Sequence, residues 1–427
     1  MRQLHDFFMG KKNLILGLGL EGKSTLRLLE GFGKPAHEII LADKNPQAAS
    51  GLPYEFHTGD NYLNPLYDND IDVIMKSPGI ALRGEIPDGV KRKITCQTDL
   101  LLRFCPNKII GITGTKGKST VSALTAHVLN YCDIPNVLIG NIGVPPLEFL
   151  ASENYDAEAI AVCEMSCHQL EYVAASPNIA VFLNLYEEHL DHYGSFENYR
   201  AAKENIFLYQ TQNDLLIFHN ELSSQLLLSS KAAKLPMSYS ETFDRQVKTH
   251  LPGRHNQYNI AVALEVCRYL ECDETRATAA VASFTGLPHR LEFVGRAGGA
   301  EYINDSISTI PAAAISAVRA FPGTDTLIIG GMDRSVNYAE LVDFLPKSGL
   351  LNLIALPDSG HKIAAELQDV HIDVFYAQDM LEAVNHALKV TKTRCILSPA
   401  AASYGFYRNF EERGEDFKRL VNNTQGL

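Results

Sequence analysis

Glycines, lysines and hydroxyl residues crowd into one short run, Thr113-Gly114-Thr115-Lys116-Gly117-Lys118-Ser119-Thr120. Such a run suits a phosphate group. Backbone amides can cradle its oxygens, Lys118 is a point charge for β- and γ-phosphates, and Ser119 or Thr120 can ligate Mg²⁺. It follows the apolar stretch Lys108–Thr113 and opens a helical one, in which Val121, Leu124 and Val128 keep one apolar face. The strict spacing G-x-x-x-x-G-K-[ST] is not met, because Gly111 lies one residue too early.

A second glycine run, Gly17-Leu-Gly19-Leu-Glu21-Gly22, also leaves a strand pattern and opens a helical one, and Asp43 ends the next strand pattern. Glycines there let the backbone approach a diphosphate, and the acid can take a ribose or a base. A dinucleotide oxidoreductase, or a tight turn without ligand, would read the same way. Glu21 is out of place, since its charge would repel a diphosphate unless it points elsewhere. Three further residues are ordinary taken singly. Glu164 ends the run Ala159–Glu164, where a second Mg²⁺ ligand would stand, although most such acids are solvated. His189 lies in the acidic run Glu187-Glu-His189-Leu-Asp-His192, and Lys203 in Tyr199-Arg-Ala-Ala-Lys203. The first reads as a surface turn and the second as a solvated helical lysine.

The elements that must position these groups alternate strand and helix throughout, which predicts an α/β fold with parallel sheets and crossover helices. Strands are expected at Lys12–Gly17, Glu38–Asp43, Ile71–Met75, Lys108–Thr113, Ala159–Glu164, Ile179–Asn184 and Leu215–Asn220. Others are expected at Tyr302–Asn304, Leu327–Ile329, Leu351–Leu356 and Arg394–Ser398, with a helix over Leu20–Gly31. The pattern restarts near Cys105-Pro-Asn107 and again at Gly286-Leu-Pro-His-Arg290. That gives three domains: 1–96 Rossmann-like, 97–287 like a phosphate-loop ATPase, and 288–427 Rossmann-like.

Hydrophobic residues make up 46% of the 427 and charged residues 21%, excluding a disordered or fibrous chain. Net charge is −12 without a basic patch, which argues against nucleic-acid binding. No apolar run approaches the roughly 18 residues of a membrane span, and the start lacks a secretory pattern. The eight cysteines lack CxxC spacing, and Cys163 and Cys167 read as small core residues. A soluble, reduced, cytoplasmic protein is expected.

The order of the motifs resembles the Mur ligases over essentially the whole chain. The phosphate loop is followed by Gly140-Asn141-Ile-Gly143, Glu164-Met-Ser-Cys-His-Gln169, Asn184…His189 and Tyr199…Lys203. Then come Gly253-Arg-His-Asn256-Gln-Tyr-Asn259, Leu287-Pro-His-Arg290, Asn304-Asp305-Ser306 and Leu397-Ser-Pro-Ala-Ala-Ala-Ser403. Ser77-Pro-Gly-Ile-Ala81 and Asn409-Phe-Glu-Glu-Arg-Gly414 are most similar to the members that add glutamate.

The resemblance implies that ATP phosphorylates the carboxylate of UDP-N-acetylmuramoyl-L-alanine and that the amine of glutamate displaces the phosphate. It implies ATP on Gly114–Thr120, Asn256, Asn259, Arg290 and Asp305, with catalytic roles for Lys118, His189 and Lys203. Two Mg²⁺ ions would lie among Ser119, Thr120, Glu164, His189 and a carbamylated Lys203. Gly17, Gly19, Gly22, Asp43, Ser77 and Asn141 would take the UDP substrate. Thr309, Arg334, Ser403 and Phe410 would take glutamate, in an enzyme expected to be monomeric. Ile307 stands where the family commonly has lysine, which leaves D- against L-glutamate open, and a nucleotide-binding sensor without catalysis remains the alternative class.

Overall fold

The computed structural model describes residues 1–82, 84–222, 227, 230–238, 249–251, 253–334, 336–367 and 371–423. These form two compact units, one of residues 1–247 with 254–281 and one of 248–253 with 282–427.

The first unit holds two parallel sheets. In the first, β1 (Asn13–Leu16), β2 (Ile39–Asp43), β3 (Glu55–Thr58), β4 (Val73–Lys76) and β5 (Ile94–Thr95) take the order β3-β2-β1-β4-β5. In the second, β6 (Ile109–Thr113), β7 (Asn136–Gly140), β8 (Ile160–Glu164), β9 (Ile179–Phe182), β10 (Leu215–His219) and β11 (Ala233–Met237) take the order β11-β10-β9-β6-β8-β7. Every residue of β1, β4, β6, β9 and β10 is buried, because helices cover both faces of a parallel sheet.

One apolar core runs through both sheets' helices, with Leu28, Leu29, Leu100, Leu101, Leu147, Leu150, Phe182 and Phe207 among its members. Buried Gln97 ties the layers together. Its amide nitrogen donates to the Glu21 carbonyl at 2.7 Å and to Thr25 Oγ1 at 3.0 Å, and its oxygen accepts from Leu147 N at 3.2 Å. A buried amide satisfied on several sides holds its segments in one register.

The second unit holds one sheet of β12 (Glu292–Ala297), β13 (Ala300–Asn304), β14 (Thr326–Gly331), β15 (Asn352–Asp358), β16 (Asp373–Tyr376) and β17 (Arg394–Leu397). Its order is β12-β13-β17-β14-β15-β16. The β12–β13 pair is antiparallel and the others parallel.

The expected helix Leu20–Gly31 is found with those ends, and the expected strands appear with ends moved by a residue or a few. Six strands were not expected: β3, β5, β7, β11, β12 and β16. They are the six sheet edges. Edge strands such as β3 and β16 are mostly half-buried or exposed, so their sequences lack the continuous apolar run that burial on both faces imposes.

Candidate functional site

In the second sheet, three adjacent strands deliver their carboxyl ends to one edge. The phosphate loop follows β6, Glu164 ends β8 beside it, and Asn184 lies just past β9 on the other side. Open parallel sheets bind ligands at this edge. Asn184 fixes the loop's path: its carbonyl accepts from Thr115 N at 3.0 Å, its Oδ1 accepts from Lys116 N at 2.8 Å, and its Nδ2 donates to the Lys116 carbonyl at 2.9 Å. Gly117 has φ +90°, and a Cβ there would stand 2.6 Å from Asn259 Oδ1. Only glycine fits that turn without strain. Asn259 donates to Asn256 Oδ1 at 3.0 Å, so the expected nucleotide pair packs directly against the loop.

The helix Lys118–Tyr131 begins at the loop and aims its free amides into it. Lys118 Nζ curls back to donate to the carbonyls of Gly114 and Thr115, both at 3.1 Å. Burial lowers its pKa, against the pull of Glu164 and Glu188. Lys203, in the helix Phe196–Leu208, is fully buried and donates to the Gly114 carbonyl at 2.8 Å. Desolvation, reinforced by the charge of Lys118, pushes its pKa down to about 7. It is therefore no solvated helix lysine. Tyr199, one turn earlier, sets its hydroxyl 3.0 Å from Thr115 Oγ1.

Glu164 is also buried. Its Oε1 accepts from Asn141 Nδ2 at 2.7 Å, whereas its Oε2 has no hydrogen-bond partner among the described residues. A buried carboxylate oxygen left open fits a cation, because an unpaired charge in such a place is costly. His189 takes a left-handed conformation, φ +57°, at the start of the helix Leu190–Tyr193. Its ring centre lies 4.9 Å from that of His168, which in turn lies 4.3 Å from that of His192. Burial first, then the rings of His192 and His189, push the His168 pKa down to about 3, so this imidazole is neutral. Nothing in the spacing of the chain announced that Cys167 and His168 would face His189.

In the first sheet, the glycine loop is braced by the residues expected to bind ligand. Asp43 accepts from Leu18 N at 2.6 Å and from Asn45 N at 2.8 Å, and Ser77 Oγ donates to the Gly17 carbonyl at 2.7 Å. A Cβ on Gly22 would stand 1.9 Å from that carbonyl oxygen, so the helix can start this close only with glycine there. Gly19 is exposed. The difficulty over Glu21 disappears, since its carboxylate turns inward and accepts from Gln169 Nε2 at 2.8 Å. Desolvation raises its pKa to about 7 against the favourable charge of Lys76. The same unit holds a cleft of about 850 Å³, lined by Leu82, Ile86, Glu171, His192 and Tyr193 among others.

In the second unit, the segments after β13, β17 and β14 form a comparable edge. Asp305 is buried, accepting from Ser398 Oγ at 2.8 Å, from Ser308 Oγ and from Leu291 N at 3.2 Å. Burial raises its pKa to about 6 despite these donors and the charge of Arg290. Ser306 Oγ donates to the Phe410 carbonyl at 2.8 Å. Ser403 is buried, Thr309 half-buried and Arg334 exposed. The residue missed was Arg413, buried in the last helix. It donates to Ser306 Oγ at 3.0 Å, to the Ser306 carbonyl at 2.8 Å and to the Ala401 carbonyl at 3.1 Å, locking two of these loops together. It falls on the buried face of its helix with Gly414, Phe417, Leu420 and Val421, so the spacing could have found it, but an arginine is ordinarily read as a surface residue.

A glycine–lysine loop at the carboxyl edge of a parallel sheet, backed by a buried acid and a second lysine, defines a phosphate-loop nucleotide-binding protein. Comparison with known proteins narrows the class. The Mur ligase middle domain family matches residues 112–243. UDP-N-acetylmuramoylalanine--D-glutamate ligase from Streptococcus agalactiae serotype III (strain NEM316) is 32% identical over 98% of both chains. The ligase of the same name from Clostridium botulinum (strain Kyoto / Type A2) is 31% identical over 98% of both. The chain belongs to the Mur ligase family. Its fold is that of the Thermotoga maritima MurF ligase solved in complex with ADP, with TM-score 0.55 at 16% identity over 99% of this chain and 100% of that one. It is also that of MurF from Acinetobacter baumannii, with TM-score 0.61 at 14% identity over 99% and 98%.

Proposed function

We propose that this chain is an ATP-dependent ligase that joins D-glutamate to UDP-N-acetylmuramoyl-L-alanine in peptidoglycan precursor synthesis. Likeness along the whole chain to relatives bearing that name carries the reading, and the phosphate-loop geometry supplies its chemistry. The substrate carboxylate attacks the γ-phosphorus of ATP and ADP leaves. The amine of glutamate then attacks the acyl phosphate, phosphate leaves, and an amide remains. Such a transfer needs positioning and charge neutralisation rather than covalent help.

The loop amides from Gly114 to Thr120 and the N-terminus of the helix Lys118–Tyr131 hold the phosphates. Lys118 swings from the loop carbonyls onto the β- and γ-oxygens. Ser119, Thr120 and Glu164 would hold one Mg²⁺ and His189 and Lys203 a second, and these ions would supply charge neutralisation. The open Oε2 of Glu164 supports the first site. A pKa near 7 leaves a large share of Lys203 as the free amine, the form that adds CO₂ to become a carbamate. Asn256 and Asn259 flank the nucleotide.

Gly17, Gly19, Gly22, Asp43, Ser77 and Asn141 take the UDP substrate. Thr309, Arg334, Ser403 and the backbone at Phe410 take glutamate. The functional segments correspond to residues 1–96, 97–287 and 288–427.

The test is phosphate release from ATP and Mg²⁺ with UDP-N-acetylmuramoyl-L-alanine and single amino acids. Release with D-glutamate is expected. Release with L-glutamate only, or with no amino acid, overturns the reading.

A further inference from the structure

The site described above uses oxygen donors, apart from His189. Directly beside it lies a group of another character. One ligand atom each from Cys167, His168 and His189 lie within 4.8 Å of one another. Cys167 opens the short helix Cys167–Leu170, which Ser166 and Gln169 cap reciprocally, and so its buried thiol is held in place. His168 follows on the same turn, with Tyr193 Oη 3.1 Å from its Nδ1. His189 arrives from the segment after β9, its ring stacked edge-on against His168.

One sulfur and two imidazole nitrogens suit a borderline or soft ion. Mg²⁺ wants octahedral oxygen, whereas Zn²⁺ and Co²⁺ take tetrahedral sets of cysteine and histidine. Three protein ligands leave a fourth position for water or a substrate oxygen. We propose that Cys167, His168 and His189 form a binding site for a thiophilic divalent ion, Zn²⁺ in particular, distinct in donor set from the magnesium sites. On binding, the Cys167 thiol releases its proton to solvent and sulfur bonds as thiolate, while the two imidazoles bind through nitrogen lone pairs. His189 cannot serve two ions at once, so zinc occupancy withdraws it from magnesium. This second step rests on the ligase reading; the binding itself does not.

Two readouts on the full chain separate the claims. Co²⁺ added without nucleotide gives the intense visible bands of a four-coordinate ion and a near-ultraviolet sulfur-to-metal charge-transfer band. Cys167→Ser removes the charge-transfer band, and both Cys167→Ser and His168→Phe weaken Zn²⁺ binding by roughly a hundredfold. Both variants keep magnesium-dependent phosphate release, which also shows that they fold, and that release resists Zn²⁺ concentrations that inhibit the parent chain. A pale octahedral Co²⁺ spectrum, or a charge-transfer band that survives Cys167→Ser, overturns the site. So does zinc affinity unchanged in both variants. If phosphate release is absent from every chain while the cobalt spectrum behaves as stated, the ligase reading fails and the metal site stands.

Discussion

Replacing Glu21 by glutamine should stabilise the protein at alkaline pH and leave it unchanged in acid. The carboxyl sits at the start of the helix Leu20–Gly31, turned inward to Gln169, with its Oε2 buried and unbonded among the described residues. Its pKa rises from the ordinary 4.5 to about 7, with desolvation outweighing the hydrogen bond and the charge of Lys76. Each pH unit between folded and unfolded values is worth about 1.4 kcal/mol, so the ionised form costs the fold about 3 kcal/mol at most. The sign follows from the raised value. Below about pH 4.5 both states hold the proton and nothing is lost. As pH climbs toward 7 the unfolded chain ionises first, and stability falls until the folded pKa is passed. Glutamine keeps the acceptor for Gln169 without the charge, although Lys76 loses a favourable neighbour, so a gain of roughly 1–3 kcal/mol is expected at pH 8. That is roughly 2–4 °C in Tm per kcal/mol for the cooperative unit concerned. Thermal melts of both chains at pH 5, 6.5 and 8 measure it. A loss of stability at pH 8, or a difference of the same size at every pH, would refute the desolvation argument.

Three substitutions probe the candidate site. Lys118→Ala should abolish phosphate release while circular dichroism and melting stay near those of the parent, since the side chain leaves no core cavity; near-normal turnover would remove the loop from the chemistry. For Lys203→Ala, most activity should vanish, and the parent chain should slow when dissolved CO₂ is stripped from the assay. Full turnover by that variant would show that the buried amine has no part in the reaction. Arg334→Ala should raise the KM for glutamate far more than the KM for ATP, because a bidentate guanidinium is matched to a carboxylate; equal rises would place Arg334 elsewhere.

The central strands and the two glycine loops were legible in the chain itself. A strand buried on both faces must be a continuous apolar run, as in Leu14–Leu16 or Ile109–Ile112, and a loop that wraps phosphate is built from neighbours in sequence. The six edge strands were not legible, because their partners on one side, rather than their own side chains, make them strands. The same division runs through the site. Lys118 and the turn at Gly117 declare themselves locally. Lys203 reads as a surface lysine until packing strips its water and sets it 2.8 Å from the Gly114 carbonyl. Glu21 reads as a misplaced charge until Gln169, 148 residues away, draws it inward. Cys167 and His168 are neighbours, but nothing in spacing ties them to His189, and only the return of the chain after β9 brings the three donors together. Short-range order, set by backbone conformation and the pattern of burial, was written in the sequence. Desolvation and the convergence of distant side chains belong to the tertiary structure, because both arise only once separate segments exclude water between them.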